Sequence, residues 1–372
     1  METGKSSQKA DRVITPEEAV KEASRCLGCN EPNCISGCPI GVAIPSVLSL
    51  VSSGKFIDAA IALREKAHMA SITGRVCPSY RLCERACSLS LKGGAVPFRS
   101  IERMLGDLSL EVKVKTRRRS TPKGNYLVVG SGPAGLTMAH DLFAEGSEVT
   151  VWEKEDQAGG WLRLIPPFRL PEGILDKEIE RLISSGIKIE TRRELKDIGS
   201  ALKAFDAVLL ATGEPPCRET GRVDISDALR WVKAGDFPEY GKVVILDGDD
   251  SATDLARLLV SRYPRTKVEI RADLSCDPVL AQIAASEGIE FQKPSKLVLV
   301  GKGACVIASN CLRTPVPFPL QTDVYGYAIV DSRFMTSTSR VYAAGGAISH
   351  YRSITEAMAS GRELSRSLGL PR

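Results

Sequence analysis

From residue 125 onward, short apolar runs alternate with longer stretches of helical periodicity. The runs have the length of buried strands, and the stretches between them are long enough to return the chain to a parallel neighbour. This alternation predicts an α/β fold with a doubly wound parallel sheet. Strands are predicted at 127–129, 149–152, 207–210, 243–246, 268–270 and 341–344, and helices at 136–144 and 353–367.

The first 120 residues follow a different pattern, with short helical segments between cysteine-rich loops. Helices are predicted at 46–50 and 56–66, and the run Thr15-Pro16-Glu17-Glu18 is typical of a helix start. Because little apolar material is expected in this region, we expect metal ligation to supply much of its stability. Polar and basic residues at 111–124 predict a boundary between the two regions.

Composition and charge narrow the class of protein. The chain is 43% hydrophobic and 26% charged, as is usual for globular proteins. Its net charge of +5 is mild, and the absence of a basic stripe with interleaved aromatic residues argues against nucleic acid. Without an apolar leader or a run of about 20 apolar residues, we expect a cytoplasmic protein with no transmembrane segment. The basic run at 113–119 is a solvated linker or a docking patch for an acidic partner such as a ferredoxin.

The cysteines are concentrated in the first region: 7 of the 11 lie between residues 26 and 87. The pattern C-x2-C-x4-C-x3-C-P starts at Cys26, and C-P-x4-C-x3-C starts at Cys77. Short runs of this kind are typical of [4Fe-4S] ligands. A disulfide framework is typical of small secreted proteins, and zinc sites of four ligands in two pairs, so both fit less well. Because two clusters need eight ligands, the shortfall predicts one ligand that is not a cysteine, in an oxygen-sensitive protein.

A glycine-rich loop follows the first predicted strand and opens a helix. In such a loop the first glycine permits the tight turn, the second lets backbone amides approach a pyrophosphate, and the third allows helix and strand to pack closely. Glu153 ends the next strand, where an acidic side chain can accept hydrogen bonds from a ribose. The loop consists of Gly130, Ser131, Gly132, Pro133, Ala134 and Gly135.

The order of these parts resembles the glutamate synthase small-subunit family and the N-terminal region of dihydropyrimidine dehydrogenase. The matching stretches span nearly the whole chain and include CLGCNEPNCISGCPIGVAIP, TGRVCPSYRLCERAC, LVVGSGPAGLTMAHDL, AVLLATG and VYAAGGA. The resemblance implies an all-α domain with two [4Fe-4S] clusters at 1–120. It also implies an FAD-binding domain at 121–215 plus 323–372, into which a degenerate NAD(P)-binding-like domain at 216–322 is inserted.

The resemblance also implies site residues. One cluster would be held by Cys26, Cys29, Cys34 and Cys87, and the other by Cys38, Cys77 and Cys83. The family's eighth ligand is a Gln or Glu on a helix after the last cysteine, and Glu102 falls at that position. Besides the glycine-rich loop, the implied FAD-binding residues are Glu153, Lys154, Gly160, Trp161, Leu162, Ala211, Thr212, Gly213, Gly345, Gly346 and Ala347.

The sequence departs from the family at the second dinucleotide loop. Asp247 and Asp249 stand where the family has the leading glycines of the NAD(P)H pyrophosphate loop. Each carboxylate repels phosphate, and each Cβ hinders the approach of the backbone. A single Arg271 remains where NADPH binders place basic residues. A milder departure is Gly346, where the family usually has an aspartate that touches the flavin.

These features favour an FAD- and [4Fe-4S]-containing electron-transfer oxidoreductase. With an impaired NAD(P)H site, the chain is expected to be a subunit of a larger hetero-oligomeric redox complex, which exchanges electrons with a partner subunit or ferredoxin. The alternative is a functional NAD(P)H:acceptor oxidoreductase of ferredoxin or glutamate synthase type. No general base, nucleophile or catalytic triad is recognisable, so the catalytic residues stay unassigned.

Overall fold

A computed structural model describes residues 13–112, 118–120, 123–215, 217, 221–294, 303–308, 313–351 and 353–369. Most of the basic run, at 113–117, and the predicted domain boundary at 121 lie outside the described residues. The chain divides into two compact units. The larger contains Val13–Leu162, Arg169–Glu214 and Val316–Arg372, and the smaller contains Arg163–Phe168 and Pro215–Pro315. The three domain boundaries drawn from the sequence stay predictions.

The elements follow the predicted order of an all-α region and then alternating strands and helices. The helices are α1 Pro16–Ala23, α2 Asn33–Ser36, α3 Ile44–Ser52, α4 Phe56–Arg64, α5 Ala70–Val76, α6 Phe98–Glu111, α7 Pro133–Ala144, α8 Glu172–Ser185, α9 Ile198–Ala204, α10 Ile225–Ala234, α11 Asp250–Arg262, α12 Pro278–Ser286 and α13 Ile354–Gly369. The strands are β1 Asn125–Val129, β2 Glu148–Trp152, β3 Lys188–Glu190, β4 Ala207–Leu210, β5 Val223–Asp224, β6 Lys242–Ile245, β7 Lys267–Arg271, β8 Glu290–Gln292, β9 Ala304–Ala308 and β10 Val341–Ala343.

Each unit is built on one parallel five-stranded sheet. The larger unit has the order β10-β4-β1-β2-β3 and the smaller has β5-β9-β6-β7-β8. In both, the order reverses beside the first strand of a βαβ unit, and ligands of such sheets bind at this switch point, outside the carboxyl ends of the strands. The second sheet lies between β4 and β10 in sequence, which confirms the predicted fold class of one dinucleotide-binding domain inserted in another.

The helical region at the N-terminus has a substantial apolar core. Helix α1 begins at Thr15 with a capping box, in which Thr15 and Glu18 bond to each other's backbone. The expectation that little apolar material lies here is wrong. Helices α3 to α6 bury aliphatic and small side chains together, and the fully buried members include Val47, Val51, Ala59, Ala60, Leu63, Ala70, Ile72, Ile101 and Leu105.

Buried ion pairs join this helical region to the first sheet's helices within the larger unit. The Arg64 guanidinium donates to both carboxylate oxygens of Glu178 on α8, each at 3.0 Å. Ser71 also donates to this carboxylate, and Arg181 Nε donates to it at 3.1 Å. On α13, Arg362 pairs with Asp141 of α7 at 2.7 Å and donates to the carbonyl of Ile40, in the helical region, at 2.8 Å. The bonds from Arg64 to Glu178 and from Arg362 to Ile40 thus connect the two regions, which lie in the same compact unit.

No helix among the described residues is both long and apolar enough to cross a membrane.

Candidate functional site

Two cysteine-bearing segments cross at Gly37. A Cβ atom built on Gly37 would lie 2.9 Å from the Cβ of Ala86 and 3.3 Å from the carbonyl oxygen of Leu82. A larger residue would therefore force the segments apart. This contact brings the first cysteine run, which ends at Cys38, against the second run around Cys83 and Cys87.

One group of cysteines lines a pocket between these segments. Burial raises the pKa of the Cys34 thiol to about 11, and three neighbouring sulfurs contribute to the rise. Those neighbours are Cys87, Cys26 and Cys29, and all four cysteines line the pocket. Ser88 Oγ lies 3.5 Å from the sulfur of Cys29. These are the four residues that the resemblance assigned to one cluster.

A second group gathers around Glu102. Burial raises the pKa of the Cys77 thiol, and Glu102 and Cys38 raise it further. The pKa of the Cys83 thiol is raised by burial and, in decreasing order, by Cys77, Glu84, Cys38 and Glu102. Cys83 also lines the first pocket, so the two groups adjoin. A buried thiol that resists ionisation in a neutral site is deprotonated when it binds a metal, so this donor set suits a cationic iron centre.

The spacing of the sulfurs is too wide for a single zinc ion. A Zn–S bond of about 2.3 Å places sulfurs around one zinc within about 4 Å of one another. Among the described residues, which include all seven cysteines of the two runs, no three cysteine sulfurs lie within 4.8 Å of one another. Among the described residues, His68, His140 and Asp141 do have ligand atoms within 4.8 Å of one another. The two imidazole rings are stacked in near-parallel planes, 4.4 Å apart, so their lone pairs cannot converge on one ion.

Glu102 is a buried carboxylate with a defined partner. Its residue is 5% exposed, and Thr73 Oγ1 donates to its Oε1 at 2.6 Å. Burial raises the pKa of Glu102 to about 7, although the bond from Thr73 opposes this shift. No role was assigned to Thr73 from the sequence; it lies in the middle of α5, 29 residues before Glu102. Thr355 Oγ1, at the start of α13, is another unpredicted neighbour, 3.7 Å from the sulfur of Cys77.

The glycine-rich loop of the first sheet has the geometry of a pyrophosphate cradle. Gly130 has a φ of +103°, and a Cβ there would lie 2.3 Å from the carbonyl oxygen of Ala211. A Cβ on Gly135 would lie 2.0 Å from the oxygen of Gly130, so the fold itself requires both glycines. A Cβ on Gly132 meets no protein atom within 4 Å. Gly132 is the N-cap of helix α7 and provides no side-chain cap, so the first amides of the helix can bind an anion.

Glu153, which directly follows β2, binds the glycine-rich loop through hydrogen bonds. Its residue is 5% exposed, and its Oε2 accepts from the backbone N–H of Ser131 at 3.0 Å and from Ser131 Oγ at 2.5 Å. Ser131 Oγ in turn accepts from the N–H of Gly159 at 2.9 Å. The acidic residue predicted for the ribose therefore also fixes the glycine-rich loop. Lys154, by contrast, has an exposed side chain beside Glu155.

The remaining residues predicted for FAD binding surround the same loop. A Cβ on Gly160 would lie 3.0 Å from Cα of Gly132. Next to Gly160, Leu162 is buried and Trp161 is partly exposed. On the other side, a Cβ on Gly345 would lie 2.6 Å from the Cβ of Ala134. The structure thus brings together the segments 130–135, 160–162, 211–213 and 345–347, of which Ala211 and Ala347 are buried and Thr212 and Gly213 are exposed.

Gly346, where the family usually has an aspartate, is closely packed. A Cβ on this glycine would lie 2.7 Å from the backbone nitrogen of Glu214 and 2.9 Å from the carbonyl carbon of Gly213. This close backbone approach explains why a side chain is absent at that position.

In the corresponding loop of the second sheet, a side chain of the loop itself binds the amides at the N-terminus of the helix. Asp249 is the N-cap of helix α11, and its carboxylate accepts from the backbone N–H of Ala252 at 2.9 Å. The anion position at the helix N-terminus is therefore filled from within. Arg271, the basic residue at the end of β7, donates to Glu269 at 2.6 Å, and Lys242 pairs with the same carboxylate at 2.6 Å.

Two family models match parts of the chain. Residues 3–114 match the family of dihydropyrimidine dehydrogenase domain II, 4Fe-4S cluster, and residues 128–184 match the NAD(P)-binding Rossmann-like domain. A solved structure of 6-hydroxypseudooxynicotine amine oxidase from Pseudomonas geniculata N1 covers 88% of this chain and 51% of its own, with a TM-score of 0.53 at 18% identity. That likeness shows the fold alone.

Two curated relatives are similar in sequence. The NAD-dependent dihydropyrimidine dehydrogenase subunit PreT of Salmonella typhimurium is 33% identical over 260 residues, covering 66% of this chain and 63% of the relative. The glutamate synthase [NADPH] small chain of Mycobacterium tuberculosis is 34% identical over 270 residues, covering 64% of this chain and 54% of the relative. The matched part thus spans less than two thirds of these relatives. Over the matched part of its length, the chain is a homologue of the PreT subunits and of the glutamate synthase small chains.

Proposed function

We propose that the chain is an FAD-containing electron-transfer oxidoreductase with two [4Fe-4S] clusters. The observation that carries the proposal is the division of eight ligand-type side chains into two adjoining groups of four. In this assignment Cys26, Cys29, Cys34 and Cys87 hold one cluster, and Cys38, Cys77, Cys83 and Glu102 hold the other. Two cubane clusters need eight ligands, four for each cluster, and these eight side chains meet that requirement.

The FAD is proposed to bind at the glycine-rich loop that begins at Gly130. The support for this is the uncapped N-terminus of α7 and the free space at Gly132, because a pyrophosphate needs both backbone donors and close approach. Glu153 would then serve the ribose while it holds the loop through Ser131. Bound clusters carry single electrons and a flavin exchanges electron pairs, whereas the protein supplies position, burial and exclusion of water.

The two groups of ligands lie in the same unit as the flavin loop. Cys77 of the second group is near Thr355, in the first turn of α13, the helix that follows the loop at 345–347. The larger unit therefore has the parts to pass electrons between a flavin and clusters without the smaller unit. This organisation supports the role of a subunit in a larger cytoplasmic redox complex, whose partner is another iron–sulfur subunit or a ferredoxin.

The NAD(P)H site of the smaller unit is proposed to be impaired. The carboxylate of Asp249 caps α11 at the position where a pyrophosphate would bind, and it carries the same sign of charge. Arg271 is engaged by Glu269, so recognition of a 2′-phosphate would have to break that pair.

Anaerobic purification with iron, acid-labile sulfide and flavin analysis tests the cofactor assignment. We expect about eight iron atoms, about eight sulfides and one FAD for each chain. A preparation with zinc and no sulfide, or with one cluster only, would contradict it. Co-purification from the native source with a larger metalloenzyme would support the role of a subunit.

A functional NAD(P)H:acceptor oxidoreductase is the second candidate. It is favoured by the sheet of the smaller unit, which keeps the parallel order of a dinucleotide-binding domain, and by the PreT relatives, whose names describe them as NAD-dependent. Reduction of the flavin by NADH or NADPH separates the two candidates, because only this second one requires it.

A further inference from the structure

Thr73 contacts two members of the second ligand group at once. Its hydroxyl lies 2.6 Å from Oε1 of Glu102, and its carbonyl oxygen accepts the backbone N–H of Cys77 at 2.9 Å. The hydroxyl also lies 3.3 Å from the carbonyl oxygen of Met69. A hydroxyl has one proton to donate, and the shorter, charge-assisted bond to the carboxylate is the stronger one. Thr73 is fully buried, so water cannot replace it in this bond.

The backbones of the two helices that carry these residues are in direct contact. A Cβ on Gly74 would lie 2.4 Å from the backbone nitrogen of Arg103, next to Glu102. A Cβ on Gly106 would lie 2.4 Å from the backbone nitrogen of Ser71. Because each helix has a glycine at the contact, the backbones of α5 and α6 touch at two places about one helical turn apart. These two contacts fix the position of Thr73 along α5 relative to Glu102 on α6. Cys77 directly follows α5, so the same contact also fixes the position of Cys77 relative to Glu102.

A carboxylate differs from a thiolate as a cluster ligand because it has two oxygens and a longer, more flexible stem. When one oxygen is bonded to Thr73, the other remains as the single ligand atom. Without that bond the carboxylate can rotate, and a buried acceptor loses its donor. Removal of a group that orients a metal ligand through a hydrogen bond commonly lowers metal affinity 10- to 100-fold.

We propose that Thr73 is the positioning residue of the second cluster, which holds Glu102 as a monodentate ligand and keeps it in register with Cys77. This inference rests on the proposed function, since it presupposes that Glu102 and three cysteines hold a [4Fe-4S] cluster. A purely structural role for Thr73 predicts a different result, because loss of its hydroxyl would then weaken the helical region as a whole and affect both clusters alike.

The test compares Thr73→Val, which removes the hydroxyl at nearly constant volume, with Thr73→Ser, which keeps it. Both proteins are purified anaerobically, and iron and sulfide are measured per FAD. Each cluster's signal is followed by electron paramagnetic resonance during a redox titration. Ser88→Ala is the matched control, since it removes a hydroxyl 3.5 Å from Cys29 in the first group. Its effect should be confined to the first cluster, and it identifies that signal.

For Thr73→Val we expect the second cluster to be lost, with iron falling by about half, or to persist with a shifted midpoint potential. The first cluster should be unchanged, and Thr73→Ser should behave as the wild type. The inference is overturned if Thr73→Val leaves the second cluster's content, signal and potential unchanged. Equal changes in both clusters, or equal defects in the Val and Ser variants, would also overturn it. A wild-type protein with a single cluster would instead reject the proposed function.

Discussion

Removal of the Asp249 charge should strengthen binding of NAD(P)H to the smaller unit. In the wild type this carboxylate caps α11 through the N–H of Ala252, at the place where a pyrophosphate needs free amides. Asp249→Asn removes the charge but keeps a side chain that caps helices equally well. Asp249→Gly removes both the charge and the Cβ, and costs the helix only a few tenths of a kcal/mol relative to a polar cap.

The size of the effect follows from the charge separation. A phosphate charge about 4–5 Å from the carboxylate, at an effective dielectric constant of about 20, is disfavoured by roughly 3–4 kcal/mol. Asp249 is partly exposed, and solvent screening reduces this value. If about half remains, Asp249→Asn should tighten NADPH binding about tenfold or somewhat more. Asp249→Gly should tighten it further, because the backbone becomes accessible.

Isothermal titration calorimetry with NADP⁺ and with NAD⁺ measures the affinity of the oxidised wild type, Asp249→Asn and Asp249→Gly proteins. We expect the order Gly tighter than Asn and Asn tighter than wild type, with a smaller gain at high salt because screening weakens the repulsion. Thermal unfolding controls for altered stability of α11. Equal affinities for wild type and Asp249→Asn would refute the electrostatic reasoning, and micromolar binding by the wild type would refute the impaired site.

Other substitutions test the remaining parts of the account. Gly132→Ala should weaken FAD binding and change the unfolding free energy of the FAD-free protein by no more than about 1 kcal/mol, since a Cβ there meets no protein atom within 4 Å and alanine is only a poorer N-cap than glycine. Gly135→Ala should instead destabilise the fold by about 2 kcal/mol or more, and equal behaviour of these two variants in urea would contradict the cradle. Cys34→Ser and Cys83→Ser should each remove a different one of the two cluster signals, whereas loss of the same signal in both would disprove the grouping. Glu178→Gln should cost about 3–5 kcal/mol at neutral pH, because it leaves buried arginines without their counter-charge. Although burial opposes it, the net effect of the two arginines lowers the pKa of Glu178 below its ordinary 4.5, so this stabilisation is full above that value and is lost as the pH falls through the folded pKa. Urea unfolding at pH 7 and pH 4 measures the difference in unfolding free energy between the wild type and Glu178→Gln. A difference that does not change with pH would count against the ion pair.

Local sequence features were sufficient to predict much of the fold. The strand beginning near Leu127 and the glycines after it are close in sequence, so their pattern alone indicates a dinucleotide-binding unit. The short outer strands were not predicted, because β3 and β8 have only three residues each and are half polar. The apolar core of the N-terminal region was also missed, since it is built from alanines and scattered aliphatic residues that form no continuous run.

The site required both kinds of information. The resemblance assigned Glu102 and the seven cysteines to two sets, and neighbouring members of each set lie close together; their assignment to clusters stays a prediction. The bond from Thr73 to Glu102 could not have been predicted, because it depends on glycines of two helices whose backbones touch. The carboxylate of Asp249 was expected to repel phosphate, but its hydrogen bond within the helix N-terminus is visible only in three dimensions.

The central proposal, that the flavin exchanges electrons with the clusters and not with NAD(P)H, is tested most directly by anaerobic stopped-flow absorbance of the flavin band. The wild-type protein is mixed with NADPH, with NADH, or with a reduced low-potential ferredoxin. The account predicts rapid bleaching by the ferredoxin, and slow or negligible bleaching by either pyridine nucleotide. Rapid, stoichiometric bleaching by NADH or NADPH would contradict it.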